Sequence, residues 1–160
     1  RFSVDWKALL PSGYVSDEVL NTMPGLPDHW DVLESTKQGT QFCLVTAPAR
    51  HFLNSSFTET KTSRRLEGRP CVMIHPFDAD ECNIADGGVC QIDNDRGQIL
   101  IHAKYFDGVK RGVLVVESLW PNKSYIGGIG VNSLTGADPV APVGGVAFHD
   151  NAVWIKAHDG

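Results

Sequence analysis

The stretch from His75 to Gly97 constrains the fold of this chain more than any other. Pro76 carries the fixed φ suited to a first helical position, and Asp78, Asp80 and Glu81 place negative charge where a helix start welcomes it. Asp86-Gly87-Gly88 then reads as a turn and Val89 to Ile92 as a strand. Asn94-Asp95-Arg96-Gly97 forms the turn into the next strand. A helix start, two turns and short strands in so little sequence belong to a compact barrel.

The rest of the chain agrees. It has 160 residues, enough for one domain with a real core, and its 42% hydrophobic and 21% charged content is ordinary for a globular protein. Its 16 Gly and 9 Pro favour turns over long helices. The net charge of −5 leaves no basic stripe for nucleic acid, although one small anion at a local site remains compatible with it. No apolar run reaches the roughly 20 residues of a membrane-spanning helix. The start at Arg1 is that expected of a fragment or processed product, with any targeting signal upstream.

Cys43, Cys71, Cys82 and Cys90 form no C-x-x-C and have no paired histidines at zinc spacing, which disfavours a metal site. Three of them sit in or beside apolar runs and read as buried reduced thiols, with disulfides as the alternative. Cys82, in a polar stretch, is the one expected to be accessible. Reduced thiols favour a cytoplasmic location, unless an upstream export signal sends the protein to the periplasm.

Residues 1 to about 40 read as a lead-in strap of mixed structure, and 41–160 as a barrel domain. Within the strap, Ser16 to Met23 reads as a short helix with Ser16 as its N-cap, and Trp6 and Trp30 as anchors on a neighbour. Strands are expected at Gln41 to Ala47, Cys71 to Ile74, Ile99 to Ala103, Val113 to Glu117 and Val153 to Ala157. The Gly-, Pro- and Asn-rich segment from Trp120 to Gly145 is expected to be a long loop. The fold class is therefore mainly β, a small barrel or sandwich with minor helices.

Several candidate chemistries fail on spacing. Asp78-x-Asp80-x-Cys82 lacks the later oxygen ligand and glycine of a calcium loop, and Asp93-x-Asp95-x-Gly97 fails similarly. No G-x-S-x-G elbow marks a serine hydrolase, although a triad need not be contiguous. Gly127-Gly128-Ile129-Gly130 lacks the phosphate-loop ending and reads as a flexible glycine loop. Asn54-Ser55-Ser56 and Asn122-Lys123-Ser124 match the glycosylation pattern, a common chance occurrence. The segment Thr46 to Ser55 differs, because a strand leads straight into Pro48, Arg50, His51, Asn54 and Ser55. Such a loop can hold a phosphate through Arg and backbone N–H, and can read a heterocycle's edge through Asn and Ser. Asn132-Ser133-Leu134-Thr135 is a second polar cluster. Each is also a common turn stabiliser.

Taken in order, these segments resemble the C-terminal, molybdopterin dinucleotide-binding domain of the molybdopterin oxidoreductases, the dimethyl sulfoxide reductase superfamily. The resemblance runs from about Phe42 to Lys156. It rests on Leu44 to Arg50 followed by Leu53-Asn54-Ser55-Ser56-Phe57, on Ile74-His75-Pro76 with Asp78-Ala79, and on Ile84-Ala85-Asp86-Gly87 with Asn94-Asp95-Arg96-Gly97. It continues through Gly130 to Thr135 and Gly144 to Asp150. The resemblance implies a double-psi β-barrel that binds part of a bis-molybdopterin guanine dinucleotide carrying molybdenum or tungsten. It implies cofactor contacts at Thr46, Ala47, Pro48, Arg50, His51, Asn54, Ser55, Asn132, Thr135 and His149. His75, Asp78 and Asp86 match barrel-building positions.

Two positions depart from the family pattern. Asp86-Gly87-Gly88 stands where Asp-Gly-Asp is usual, which alters a turn contact rather than cofactor binding. Phe148-His149 stands where many relatives carry Lys or Arg, which changes the charge balance near the pterin. No iron–sulfur cysteine spacing and no protein ligand to the metal can be picked out. The resemblance therefore implies one cofactor-holding part of a larger oxidoreductase, inactive alone, with any iron–sulfur cluster and the partner domains elsewhere. The reading from a different class is a double-psi adaptor module that binds protein or peptide.

Overall fold

The computed structural model describes residues 3–9, 16–23, 25, 34, 36, 41–117, 119–136, 139–140, 145–146, 148–149 and 151–158. Trp30 and most of the strap after it lie outside these residues. Two compact units are present, one of residues 1–32 with 137–147 and one of 33–136 with 148–160.

The first unit contains the short helices α1 (Trp6–Leu9) and α2 (Asp17–Thr22), and the two-residue strands β6 (Pro139–Val140) and β7 (Gly145–Val146), which pair antiparallel. α2 opens after Ser16, whose carbonyl accepts the Leu20 N–H at 3.0 Å. Trp6 is half-buried, and Met23 is the buried apolar residue of this segment.

The second unit is a closed six-stranded double-psi barrel. Its strands are β1 (Phe42–Ala47), β2 (Cys71–Ile74), β3 (Val89–Asn94), β4 (Gly97–Tyr105), β5 (Val113–Glu117) and β8 (Asn151–Ala157). Around the wall the order is β1-β5-β2-β4-β3-β8. Two pairs are parallel: β1 with β5, and β2 with β4. The remaining neighbours are antiparallel, among them the β3–β4 hairpin that closes at Asn94 opposite Gly97. Closure leaves no open sheet edge.

Alternation builds the core. Leu44, Val72, Ile74, Ile92, Leu114 and Val116 are wholly buried, whereas their sequence neighbours face outward or half outward. Branched aliphatics suit such crowded positions. Cys90 is buried among them. All four cysteines are free thiols, and Cys82 is half-buried against the core. Cys43 and Cys71 are half-buried too, so Cys90 alone of the three thiols expected to be buried is fully so, and Cys82 is no more accessible than the other two. Burial first, then the carboxylates of Asp78 and Glu81, push its thiol pKa up.

Helix α4 (Pro76–Glu81) starts as the sequence predicts, with the His75 ring as its cap: Nδ1 accepts the Phe77 N–H at 3.2 Å. Its first-turn carboxylate does more than favour the helix dipole. Asp78 is buried, accepts the Gly112 N–H at 2.7 Å and accepts Nε–H of Arg111, whose other arm reaches Glu81 at 2.6 Å. Asp86 accepts the Tyr105 N–H at 2.8 Å and so ties its turn to the end of β4.

Helix α3 (Lys61–Glu67) was not expected. It buries no residue, so it leaves no apolar stripe in the sequence to reveal it. The expected loop after Trp120 contains two 3-10 turns, Asn122–Ser124 and Val131–Leu134.

Candidate functional site

Because β1 and β5 run parallel, Ala47 and Glu117 pair at one end of the barrel and both strands release their chains there. Two buried aromatics pin the emerging segments together. Phe52, after β1, meets Trp120, after β5, edge to face with ring centres 4.8 Å apart. Between them the chain turns tightly, with Leu53 and Ser56 exchanging hydrogen bonds at 3.2 and 2.8 Å. Asn54 sits inside that turn at φ 50°, a left-handed conformation that asparagine tolerates better than most residues.

A cavity of about 480 Å³ opens at this end. Its walls are Thr46, Ala47, Pro48, Ala49 and Asn54 from the β1 exit, and Leu119 from the β5 exit. Asn132, Thr135, Phe148 and His149 complete it. Among the described residues, no aspartate, glutamate, lysine or arginine lines it. Across the mouth, Thr46 Oγ1 and His149 Nδ1 lie 2.9 Å apart in a hydrogen bond. Among the described residues the side-chain amides of Asn54 and Asn132 have no hydrogen-bond partner, and both residues are exposed.

The polar turn at Asn132 is built from inside. Ser133 hydroxyl donates to the Gly130 carbonyl, and Thr135 hydroxyl to the Asn132 carbonyl, both at 3.0 Å. Thr135 therefore supplies the cavity with a hydroxyl already engaged. Gly130 is not part of a loose loop: a Cβ there would lie 2.7 Å from Asn122 Oδ1 and 3.1 Å from the Tyr125 ring. Tyr125 is buried beside this turn, and burial pushes its phenol up to about 12, with the Val131 backbone opposing.

Of the residues that the sequence nominates, Thr46, Ala47, Pro48, Asn54, Asn132, Thr135 and His149 converge on the cavity. Arg50, His51 and Ser55 do not line it. Arg50 is exposed one residue from Ala49 and has no side-chain partner among the described residues. The His51 ring is committed elsewhere: its Nδ1 and its backbone N–H both meet Glu67 Oε1, at 2.8 and 2.6 Å. Ser55 contributes its carbonyl to the Thr58 hydroxyl at 3.0 Å. Ala49, Leu119 and Phe148 were missed as wall residues, because apolar side chains carry no chemical signature in sequence.

Among the described residues, no helix is long and apolar enough to cross a membrane, and no three His, Cys, Asp or Glu gather as a metal site.

Comparison with known proteins agrees with this architecture. Residues 42–153 match the family model described as the molydopterin dinucleotide binding domain. The chain is 32% identical over 134 residues to the probable oxidoreductase YoaE of Bacillus subtilis (strain 168), covering 83% of this chain and 19% of that protein. It is 48% identical over 56 residues to the dimethyl sulfoxide/trimethylamine N-oxide reductase of Rhodobacter capsulatus, covering 34% of this chain and 7% of that one. Among solved structures, acetylene hydratase from Pelobacter acetylenicus shares the fold at TM-score 0.60 and 13% identity, over 73% of this chain and 18% of its own. The chain thus spans about a fifth or less of the length of these proteins. From the barrel, the position of its cavity and the match over residues 42–153, the chain belongs to the molydopterin dinucleotide binding domain family.

Proposed function

We propose that this domain holds part of a bis-molybdopterin guanine dinucleotide within a larger molybdenum- or tungsten-dependent oxidoreductase. The observation that carries the reading is the convergence of residues from four separate chain segments on one cavity beside the β1 and β5 ends, its described walls without formal charge. Apolar walls with a few fixed polar groups suit a flat heterocycle. Asn54 and Asn132 offer amides with both donors and acceptors free to read its edge. With no formal charge among the described wall residues, the phosphates lie outside the cavity, where Arg50 is the adjoining cation.

When bound, the cofactor supplies the redox chemistry; the protein binds and orients it. Thr46 holds the His149 ring across the mouth, and Pro48 and Ala49 form a rigid wall. The second dinucleotide, any iron–sulfur cluster, the metal's protein ligand and the substrate funnel belong to other parts of the parent, so this chain alone is inactive. The two relatives in sequence carry the names of an oxidoreductase and a reductase, and nothing in this geometry favours the adaptor module.

The test uses the full-length parent. Asn132→Ala and Arg50→Ala lower bound pterin and metal, measured by pterin fluorescence after oxidation and by mass spectrometry of the metal. His51→Ala, whose ring already serves Glu67, leaves both contents near wild type. Full content in both Asn132→Ala and Arg50→Ala overturns the assignment.

A further inference from the structure

Two short segments carry one side of the cavity. One is the 3-10 turn with Asn132 and Thr135; the other holds Phe148 and His149. Neither belongs to a barrel strand, and both are fastened to a single guanidinium. Arg96 Nε donates to the Leu134 carbonyl at 2.9 Å, and Nη2 donates to Asn151 Oδ1 at 3.3 Å. Asn151, itself 2% exposed, passes the tie onward by donating from Nδ2 to the Phe148 carbonyl at 3.0 Å. Glu34 holds the same Nη2 at 2.6 Å, and its other oxygen accepts the Ala152 N–H at 2.7 Å.

We infer that Arg96, steadied by Glu34, is the positioning residue of this binding site and sets the spacing between Asn132 and His149. The inference rests on the reading of the cavity as the cofactor site. Its physical basis is the shape of arginine: a planar fork donates from two separated nitrogens, Nε and Nη2, whereas a lysine carries its three donors on one nitrogen at the end of a flexible stem and cannot occupy both places. Asn94 reinforces one arm, donating from Nδ2 to the same Leu134 carbonyl at 2.8 Å. Glu34 lies upstream of the family-matched residues 42–153, so the site's framework includes a carboxylate that the matched segment does not contain.

The test again uses the full-length parent, with hydrogen exchange read by mass spectrometry alongside pterin content. In Arg96→Met, peptides covering 130–136 and 147–153 exchange about tenfold faster or more, together, while β4 amides keep their protection. Pterin content falls. Arg96→Lys does not restore it, because one nitrogen cannot stand where both Nε, facing Leu134, and Nη2, facing Asn151 and Glu34, stand. Glu34→Gln loosens 147–153 more than 130–136, since its own backbone contact is to Ala152, and it keeps the proposal testable if Arg96→Met does not fold.

Rescue of both readouts by lysine, or loosening of only one segment in Arg96→Met, overturns the inference. So does full pterin content in Arg96→Met when Asn132→Ala has lost it. Full content in Asn132→Ala and Arg50→Ala together with paired loosening in Arg96→Met overturns the cavity reading instead, leaving the clamp as a structural tie.

Discussion

The Phe52–Trp120 contact is the joint on which the cavity wall depends, and its strength follows from its geometry. Phe52 is 6% exposed and Trp120 8%, with ring planes at 82° and centres 4.8 Å apart. Truncating a buried phenylalanine to alanine costs about 3–5 kcal/mol, the lost transfer energy plus the residual cavity. For a chain of this size about 1 kcal/mol moves Tm by about 2–4 °C, so Phe52→Ala lowers it by about 6–20 °C. Phe52→Leu keeps much of the volume and forfeits the edge-to-face contact, worth about 0.5–1.5 kcal/mol beyond area.

Urea unfolding of Phe52→Leu, Trp120→Leu and the double variant, followed by far-ultraviolet circular dichroism, gives a coupling energy in that range. Exchange of 48–58 accelerates in each single variant, because Phe52 is the buried anchor between Ala49 and Asn54. A coupling energy indistinguishable from zero, or a Tm change under about 3 °C in Phe52→Ala, refutes the reasoning.

Two further outcomes follow from buried groups. Asp78→Asn turns one carboxylate oxygen into a donor that faces an existing donor, the Gly112 N–H in place of Oδ2 or the Arg111 Nε–H in place of Oδ1. Loss of the Gly112 bond alone costs about 1.5–3 kcal/mol, so calorimetry finds Tm lower by about 3–12 °C; an unchanged Tm rejects it. Burial pushes the Cys90 thiol up to about 12, helped by Cys71 and Cys82, against about 8.5 in an unfolded chain. Above about pH 8.5 the unfolded chain therefore holds fewer protons than the folded one, and stability falls as pH rises toward 12, by up to about 1.4 kcal/mol per pH unit. Tyr125 acts in the same sense from about pH 10. Cys90→Ala flattens the slope of unfolding free energy between pH 9 and 10; an identical slope removes the thiol as its source.

The local features were legible because local chemistry dictates them. Pro76 opens a helix, and Asn94 caps a hairpin turn by accepting the Arg96 and Gly97 N–H groups at 3.0 and 3.3 Å. Short apolar runs mark β2 and β5, and in the fold the burial along β2, β3 and β5 alternates with the period of two that a pleated strand imposes. Residues 46 to 55 stood out because polar groups crowd directly after such a strand. The same local reading did not foresee the His51–Glu67 contact, since nothing near His51 in sequence announces a carboxylate 16 residues away that takes its ring. It missed Leu119 and Phe148, whose contribution is a position and not a functional group.

What the amino-acid order determined by itself is the barrel strands, the start of α4, the turns between them and a list of polar groups that resemble a dinucleotide site. Only the tertiary structure decided which of those groups share a cavity. That depends on the parallel pairing of β1 with β5, and on Arg96 reaching carbonyl and amide oxygens 38 and 55 residues away. Helix caps and turns are set by neighbours along the chain, so residue order records them. Pairing register and long-range hydrogen bonds are set by barrel closure, a property of all six strands together.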